Sequence, residues 1–156
     1  MPTIRPAVAA DLPAIVQLLA DDPLGASRER FESPLPQAYQ RAFDAIDADP
    51  NHELRVACDG DSLVGVLQIS FIPHLTHQGS WRALIEGVRV AAPWRSRGLG
   101  RTLVLDAVAR ARARGCRMAQ LTTDKRRPDA VRFYQRLGFV ASHEGMKLDL
   151  TSAPGG

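Results

Sequence analysis

The chain has 156 residues, 45% of them hydrophobic and 24% charged, with a formal net charge of +3. That length suits one domain with a substantial core; no apolar run is long enough to span a bilayer, and Met1–Arg5 leads into mixed polar sequence without a leader pattern. Cys58 and Cys116 lack a pairing signature, so a disulfide scaffold is excluded and the cytoplasm is the expected compartment.

In chain order, Thr3–Val8 alternates as a first strand, and Asp11 with Pro13 starts a helix whose apolar stripe is Leu12, Ile15, Val16 and Leu19. Asp22–Gln37, with three prolines before Gln37 and Gly25, reads as irregular, and Gln37–Asp47 as a second helix stopped by Pro50. Glu53–Cys58 and Leu63–Ile72 form a hairpin about Asp59-Gly60-Asp61. Pro73–Ser80 is a loop, and Trp81–Val90 a long strand in which Gly87 marks a bulge or close backbone approach. Gly98–Arg114 is the clearest helix, stopped by Gly115. Arg117–Thr122 reads as a strand, Pro128–Leu137 as a helix, and Gly138–Val140 and Gly145–Leu150 as two final strands. The expected architecture is α+β (mixed α/β): a mostly antiparallel sheet of six to seven strands flanked by about four helices, one domain over 1–150 and a flexible tail over 151–156.

The most informative run is Val88-Arg89-Val90-Ala91-Ala92-Pro93-Trp94-Arg95-Ser96-Arg97-Gly98-Leu99-Gly100-Arg101. It is an apolar strand, a turn, then arginines and glycines at the mouth of a helix. A helix start offers N–H groups without intrahelical partners and a partial positive charge. Glycines admit a ligand close to the backbone, and Arg95, Arg97 and Arg101 add fixed charge, a combination suited to a pyrophosphate. From Arg95 to Arg127 the only acids are Asp106 and Asp124. Trp94 is the one aromatic at this basic stretch, so no base-stacking platform is apparent and no nucleic-acid partner is expected. A dinucleotide fingerprint would need the glycine loop after the first strand, and a Walker loop needs Gly-Lys-Ser/Thr, which is absent.

Arg95-Ser96-Arg97-Gly98-Leu99-Gly100 resembles the pyrophosphate loop Arg/Gln-x-x-Gly-x-Gly/Ala of the GNAT superfamily of acyl-CoA-dependent N-acyltransferases. Ala130-Val131-Arg132-Phe133-Tyr134-Gln135-Arg136-Leu137-Gly138-Phe139 resembles that family's Ala-x-x-Phe-Tyr-x-x-x-Gly-Phe segment, and the element order matches from Ile4 to Leu150. The resemblance implies direct attack of an amine on the thioester of acetyl-CoA, with no metal. Backbone groups of Val88, Arg89 and Val90 would pair with the pantetheine arm. Arg95, Ser96, Arg97, Gly98, Leu99, Gly100 and Arg101 would hold the pyrophosphate, with Ala130, Phe133 and Tyr134 completing the cofactor contacts. Tyr134 would be the general acid, because a phenol of pKa about 10 stays protonated beside a thiol of about 8.5. Glu86, one residue before Gly87, would be the base working through water, with Asp124 the weaker candidate. Arg127 stands where many family members carry Asn, so no role passes to it.

A non-catalytic acyl-CoA-binding module is the alternative. His74 and His77 read as solvated loop histidines, and Ser142-His143-Glu144 as a turn rather than a triad. The expected acceptor is a small-molecule or peptide amine, with no membrane partner. Asp21–Gln40 and Phe71–Trp81 would shape its site, and Asp21, Asp22, Glu29 and Glu32 would favour a cationic one. A C-terminal edge strand would offer a homodimer surface.

Overall fold

The computed structural model describes residues 1–151, so the tail expected from Thr151 lies, beyond that residue, outside the described residues. The chain divides into two compact units, Met1–Leu121 and Thr122–Gly156.

The first unit runs β1 (Thr3–Pro6), α1 (Leu12–Leu19), α2 (Pro23–Arg28), α3 (Gln37–Ala48), β2 (His52–Asp59), β3 (Ser62–Pro73), α4 (Thr76–Gly79), β4 (Trp81–Val90), α5 (Leu99–Ala113) and β5 (Met118–Gln120). The strands form one sheet in the order β1-β2-β3-β4-β5, antiparallel except for the β4–β5 pair. Alternation along β2 assigns its two faces. Val56 and Cys58 pack with Ile15, Leu18 and Val66, and Leu54 lies against Val16 and Phe43, so α1 and α3 cover this side. Glu53, Arg55 and Ala57 take the opposite face, toward α5. That helix buries Leu99, Leu103, Val104, Ala107 and Ala111 at the period of one helical stripe. Fully buried residues such as Leu67, Ile69 and Leu103 each contribute about 1.5–3 kcal/mol.

Along the edge of that stripe, Asp106, Arg110 and Arg114 recur every fourth residue and meet alternate residues of β2 and the residue just before it. Arg55 Nε donates to Asp106 Oδ2 at 3.1 Å, Arg110 Nη2 to Glu53 Oε1 at 2.6 Å, and Arg114 Nη2 to Asn51 Oδ1 at 3.2 Å. The ladder fixes α5 along the sheet. Hydrogen bonds from Arg110, opposing the cost of burial, hold the Glu53 carboxyl below its ordinary range. Such a group stabilises the fold above its unfolded pKa of about 4.3 and loses that contribution as pH falls through the lowered folded value. Arg110→Met is therefore expected to cost about 1 kcal/mol at pH 7, a thermal midpoint lower by about 2–4 °C. The difference from the parent should close in strong acid; melting curves that stay equally far apart there would contradict the assignment.

In the second unit α6 (Pro128–Arg136) ends in a Schellman motif: Phe139 N–H donates to Tyr134 O at 3.1 Å and Gly138 N–H to Gln135 O at 3.0 Å. The Phe139 ring meets the Tyr134 ring edge-on at 5.8 Å, the apolar contact that accompanies this motif.

Four expectations need correction. Among the described residues the sheet has five strands, not six to seven: neither Gly138–Val140 nor Gly145–Leu150 forms a strand. The alternation there is real, but Met146, Leu148 and Leu150 are 92%, 83% and 86% exposed and no strand pairs with them. Among the described residues there are six helices rather than about four. Asp22–Gln37 is not wholly irregular, because Asp22 accepts from Gly25 N–H at 2.7 Å and Pro23 opens α2. The loop 73–80 contains α4, a single turn in which His77 and Gln78 take φ of 53° and 63°. No helix among the described residues is long and apolar enough to cross a membrane.

Candidate active site

In the first unit the site is built from β4 and the segment leading into α5. β5 pairs only with Arg82–Leu84, so from Ile85 to Val90 no strand lies against β4 on that side among the described residues. Gly87 has φ +62° and sits where the β3 register shifts, a bulge built here around a left-handed glycine. Ala91 N–H donates to Val64 O at 2.8 Å, so the neighbouring pair Val90–Gly65 is a non-hydrogen-bonded one. The N–H and C=O of Val90 therefore turn away from β3, toward the open side. Two arginines occupy carbonyls here: Arg89 Nη1 donates to Val88 O at 2.9 Å and Arg95 Nε to Val90 O at 3.1 Å. These acceptors sit two residues apart, the repeat an extended amide-bearing chain would use.

The following segment makes a short 3₁₀ turn at Ala92–Trp94, then places Ser96 at φ +60° and Gly98 at φ +85°. Left-handed residues alternating with ordinary ones curl successive N–H groups into an anion-binding concavity. Gly98 is the N-cap of α5 and provides no side chain to cap it; Thr102 N–H bonds back to Gly98 O at 3.1 Å. The N–H groups of Leu99, Gly100 and Arg101 lie in the first turn, where helix geometry gives them no partner. Leu99 is 3% exposed, so its side chain anchors the helix while its amide belongs to the concavity. Arg97 lies over the Trp94 ring at 4.5 Å, Arg95 pairs with Asp21 at 3.3 Å, and Arg101 is exposed. The sequence-predicted Val88, Arg89, Val90 and the residues from Arg95 to Arg101 thus come together on one strand edge and one helix mouth.

Glu86 is exposed on β4, opposite Gln68 of β3, directly before the bulge. In the second unit Tyr134 is half-buried, its ring edge-on to Phe133 at 4.9 Å as well as to Phe139, and Ala130 is half-buried at the start of α6. Asp124 is unsuited to be a base. Both its carboxylate oxygens accept from the Arg126 guanidinium, at 3.0 and 2.7 Å, and these bonds with the Arg126 N–H hold it well below the usual carboxylate range. Ser142 Oγ and His143 Nδ1 lie 2.7 Å apart, but Glu144 faces Lys125 at 3.7 Å, so no relay forms. His74 Nδ1 is 3.1 Å from Ile72 O.

The four acids expected to attract a cation are engaged within the protein. Asp21 pairs with Arg95, Asp22 caps α2, Glu29 meets Arg28 and the Tyr39 hydroxyl, and Glu32 pairs with Arg30. A cavity of about 800 Å³ opens beside the start of α1, lined by Ala9, Ala10, Leu12, Pro13 and residues between Phe31 and Gln40; it takes in Glu32 and part of the segment expected to shape the acceptor site, but none of the catalytic or cofactor candidates.

An open strand edge running through a bulge into an arginine-flanked amide concavity is the class of site that takes a phosphorylated carrier with an extended amide arm. Residues 13–139 match the acetyltransferase (GNAT) family, and the chain belongs to that family. It is an acyl-CoA-dependent N-acetyltransferase, as its motifs imply. It is similar to the aminoalkylphosphonate N-acetyltransferase of Salmonella typhimurium, 35% identical over 107 residues, 69% of this chain and 69% of that protein. It is also similar to the glucosamine 6-phosphate N-acetyltransferase of Trypanosoma brucei brucei, 33% identical over 88 residues, 56% of this chain and 58% of that protein. A crystal structure described as a transcriptional regulator from Bacillus halodurans superposes with a TM-score of 0.94 at 57% identity, covering 96% of this chain and 100% of that one.

Proposed function

We propose that the enzyme transfers the acetyl group of acetyl-CoA to the primary amine of a small molecule by direct attack in a ternary complex, and that the acceptor carries a phosphonate or phosphate group. The observation that carries the cofactor half is the outward-turned Val90 backbone beside the concavity at Ser96 and Gly98. The pantetheine amides replace Arg89 and Arg95 on the Val88 and Val90 carbonyls, and the amides from Arg97 to Arg101 take the diphosphate. The released arginines remain beside the anion, where each charge-assisted bond contributes on the order of 1.5–3 kcal/mol. Ala130 and Phe133 belong to the cofactor contacts in this reading. The acceptor half is supported by the two curated relatives, whose acceptors are named as an aminoalkylphosphonate and glucosamine 6-phosphate, and by the engagement within the protein of the four acids expected to attract a cation.

In the reaction Glu86, through water, takes one proton from the bound ammonium, and the neutral amine attacks the thioester carbonyl so that an N–C bond forms. The C–S bond breaks, Tyr134 gives its proton to the leaving sulfur, and the second proton shed by the acylated nitrogen restores the tyrosine. In this reading a single acetyltransferase domain covers 1–150, which the family match over residues 13–139 supports. The reading includes a cytoplasmic location, in keeping with free Cys58 and Cys116, and a homodimer using the exposed Met146, Leu148 and Leu150. No membrane or metal enters it.

The test is release of CoA thiol from acetyl-CoA across a panel of phosphorylated and unphosphorylated amines. Turnover with an amino-phosphate or amino-phosphonate is expected; tight CoA binding without turnover on any amine would leave a non-catalytic acyl-CoA-binding module. Glu86→Gln is expected to lower kcat by about 10²-fold near neutral pH. The loss should shrink in alkali, where more of the amine is already neutral. A loss of the same size at every pH would remove Glu86 as the base. The second reading is nucleic-acid binding, which the description of the Bacillus halodurans neighbour favours. Affinity for duplex DNA that falls steeply with salt would support it.

A further inference from the structure

The face of the sheet that carries Glu86 holds a second charged group. Register puts Arg82, Leu84 and Glu86 of β4 on one face, opposite Ile72, Ser70 and Gln68 of β3, while Ala83 and Ile85 fill the other face at 0% and 2% exposure. Gln120 of β5 lies opposite Leu84 and shares this face. The Arg82 guanidinium is held only by neutral groups. Nη1 donates to Gln120 Oε1 and Nη2 to Thr76 Oγ1, both at a long 3.3 Å, and Nε is buried with no hydrogen-bond partner. No carboxylate lies within ion-pair range of it among the described residues. A buried donor without an acceptor is costly, and a guanidinium fork matches the oxygens of a phosphoryl group.

Four residues of strand set the Arg82 and Glu86 Cα atoms about 13 Å apart. Between them half-buried Leu84 gives an apolar floor. Two long side chains rising from the ends of that span leave room for one compact molecule, with its amine at Glu86 and an anion at Arg82. We infer that Arg82, supported by Thr76 and Gln120, is the subsite for the acceptor's phosphoryl group. The inference rests on the reading of Glu86 as the base and of the acceptor as an amino-phosphate or amino-phosphonate. It adds the residues that select such an acceptor.

The experiment compares 2-aminoethylphosphonate with ethanolamine, and glucosamine 6-phosphate with glucosamine. Each is titrated calorimetrically into the CoA-loaded protein and assayed with acetyl-CoA. The parent enzyme is expected to bind at least one phosphoryl compound more tightly than its uncharged analogue. Arg82→Gln should raise Kd and KM for that compound by about 10- to 100-fold. It should leave kcat and the affinity for CoA unchanged, and leave binding of the uncharged analogue as it was. Arg82→Lys, which keeps the charge and loses the fork, should restore part of the preference. An undiminished preference in Arg82→Gln would overturn the role of Arg82 while leaving the phosphoryl acceptor standing. A parent enzyme that binds neither phosphoryl compound better than its analogue would overturn the acceptor reading and this subsite with it.

Discussion

Gly98→Val is expected to lower the affinity for acetyl-CoA on the order of 100-fold or more, read by calorimetry, while α5 stays helical. Two effects combine. Gly98 has φ +85°, which a β-branched residue adopts only with strain of about 1–3 kcal/mol, so the first turn of α5 rearranges. A Cβ at this position meets nothing within 4 Å, so the protein itself does not resist it; the added carbon enters the space assigned to the diphosphate. Gly98→Asn separates the two effects, because Asn tolerates left-handed backbone but still carries a side chain. Weak binding in both variants locates the anion against the backbone at Gly98. Parent-like affinity in both would remove this loop from the cofactor site.

Tyr134→Phe is expected to lower kcat by about 10²-fold with little change in KM for acetyl-CoA or in thermal midpoint. The phenylalanine ring keeps the edge-on contacts with Phe133 at 4.9 Å and Phe139 at 5.8 Å, so the C-terminal motif of α6 survives. What is lost is the O–H that protonates the departing thiolate, and the loss should be greatest with the poorest leaving thiols. Steady-state thiol release measures it; a kcat within twofold of the parent would remove Tyr134 as the acid.

Much of this architecture is legible in the chain because it depends on local chemistry. Trp81–Val90 has the composition and length of a strand and takes those bounds, and α5 stops at Gly115 because a left-handed residue follows its last turn. Gly87 announces the bulge before any partner strand is known. The Leu-Gly-Phe run after α6 reads in sequence as the end of the family-like segment and the start of a strand, and is a Schellman motif with its ring contact in structure. The helix α2 was also encoded, by Asp22 and Pro23, but the same prolines read as breakers.

Other features depend on what lies across the sheet. Met146, Leu148 and Leu150 alternate as a strand does, yet alternation states only which side is apolar and cannot supply a neighbour. Asp21 and Glu32 look available for a cation until their arginines are seen. Arg82 carries no motif at all; its distinction is a buried Nε and partners from α4 and β5, which only register and packing bring to it. The direction of the Val90 carbonyl likewise follows from a hydrogen bond to β3 that no sequence pattern displays.

The most direct trial of the central claim is a crystal structure of the protein with CoA. It should show the diphosphate within hydrogen-bond distance of the backbone amides between Arg97 and Arg101, with Arg89 and Arg95 withdrawn from the Val88 and Val90 carbonyls and the pantetheine amides in their place. A diphosphate bound elsewhere, with both carbonyls still held by their arginines, would contradict it.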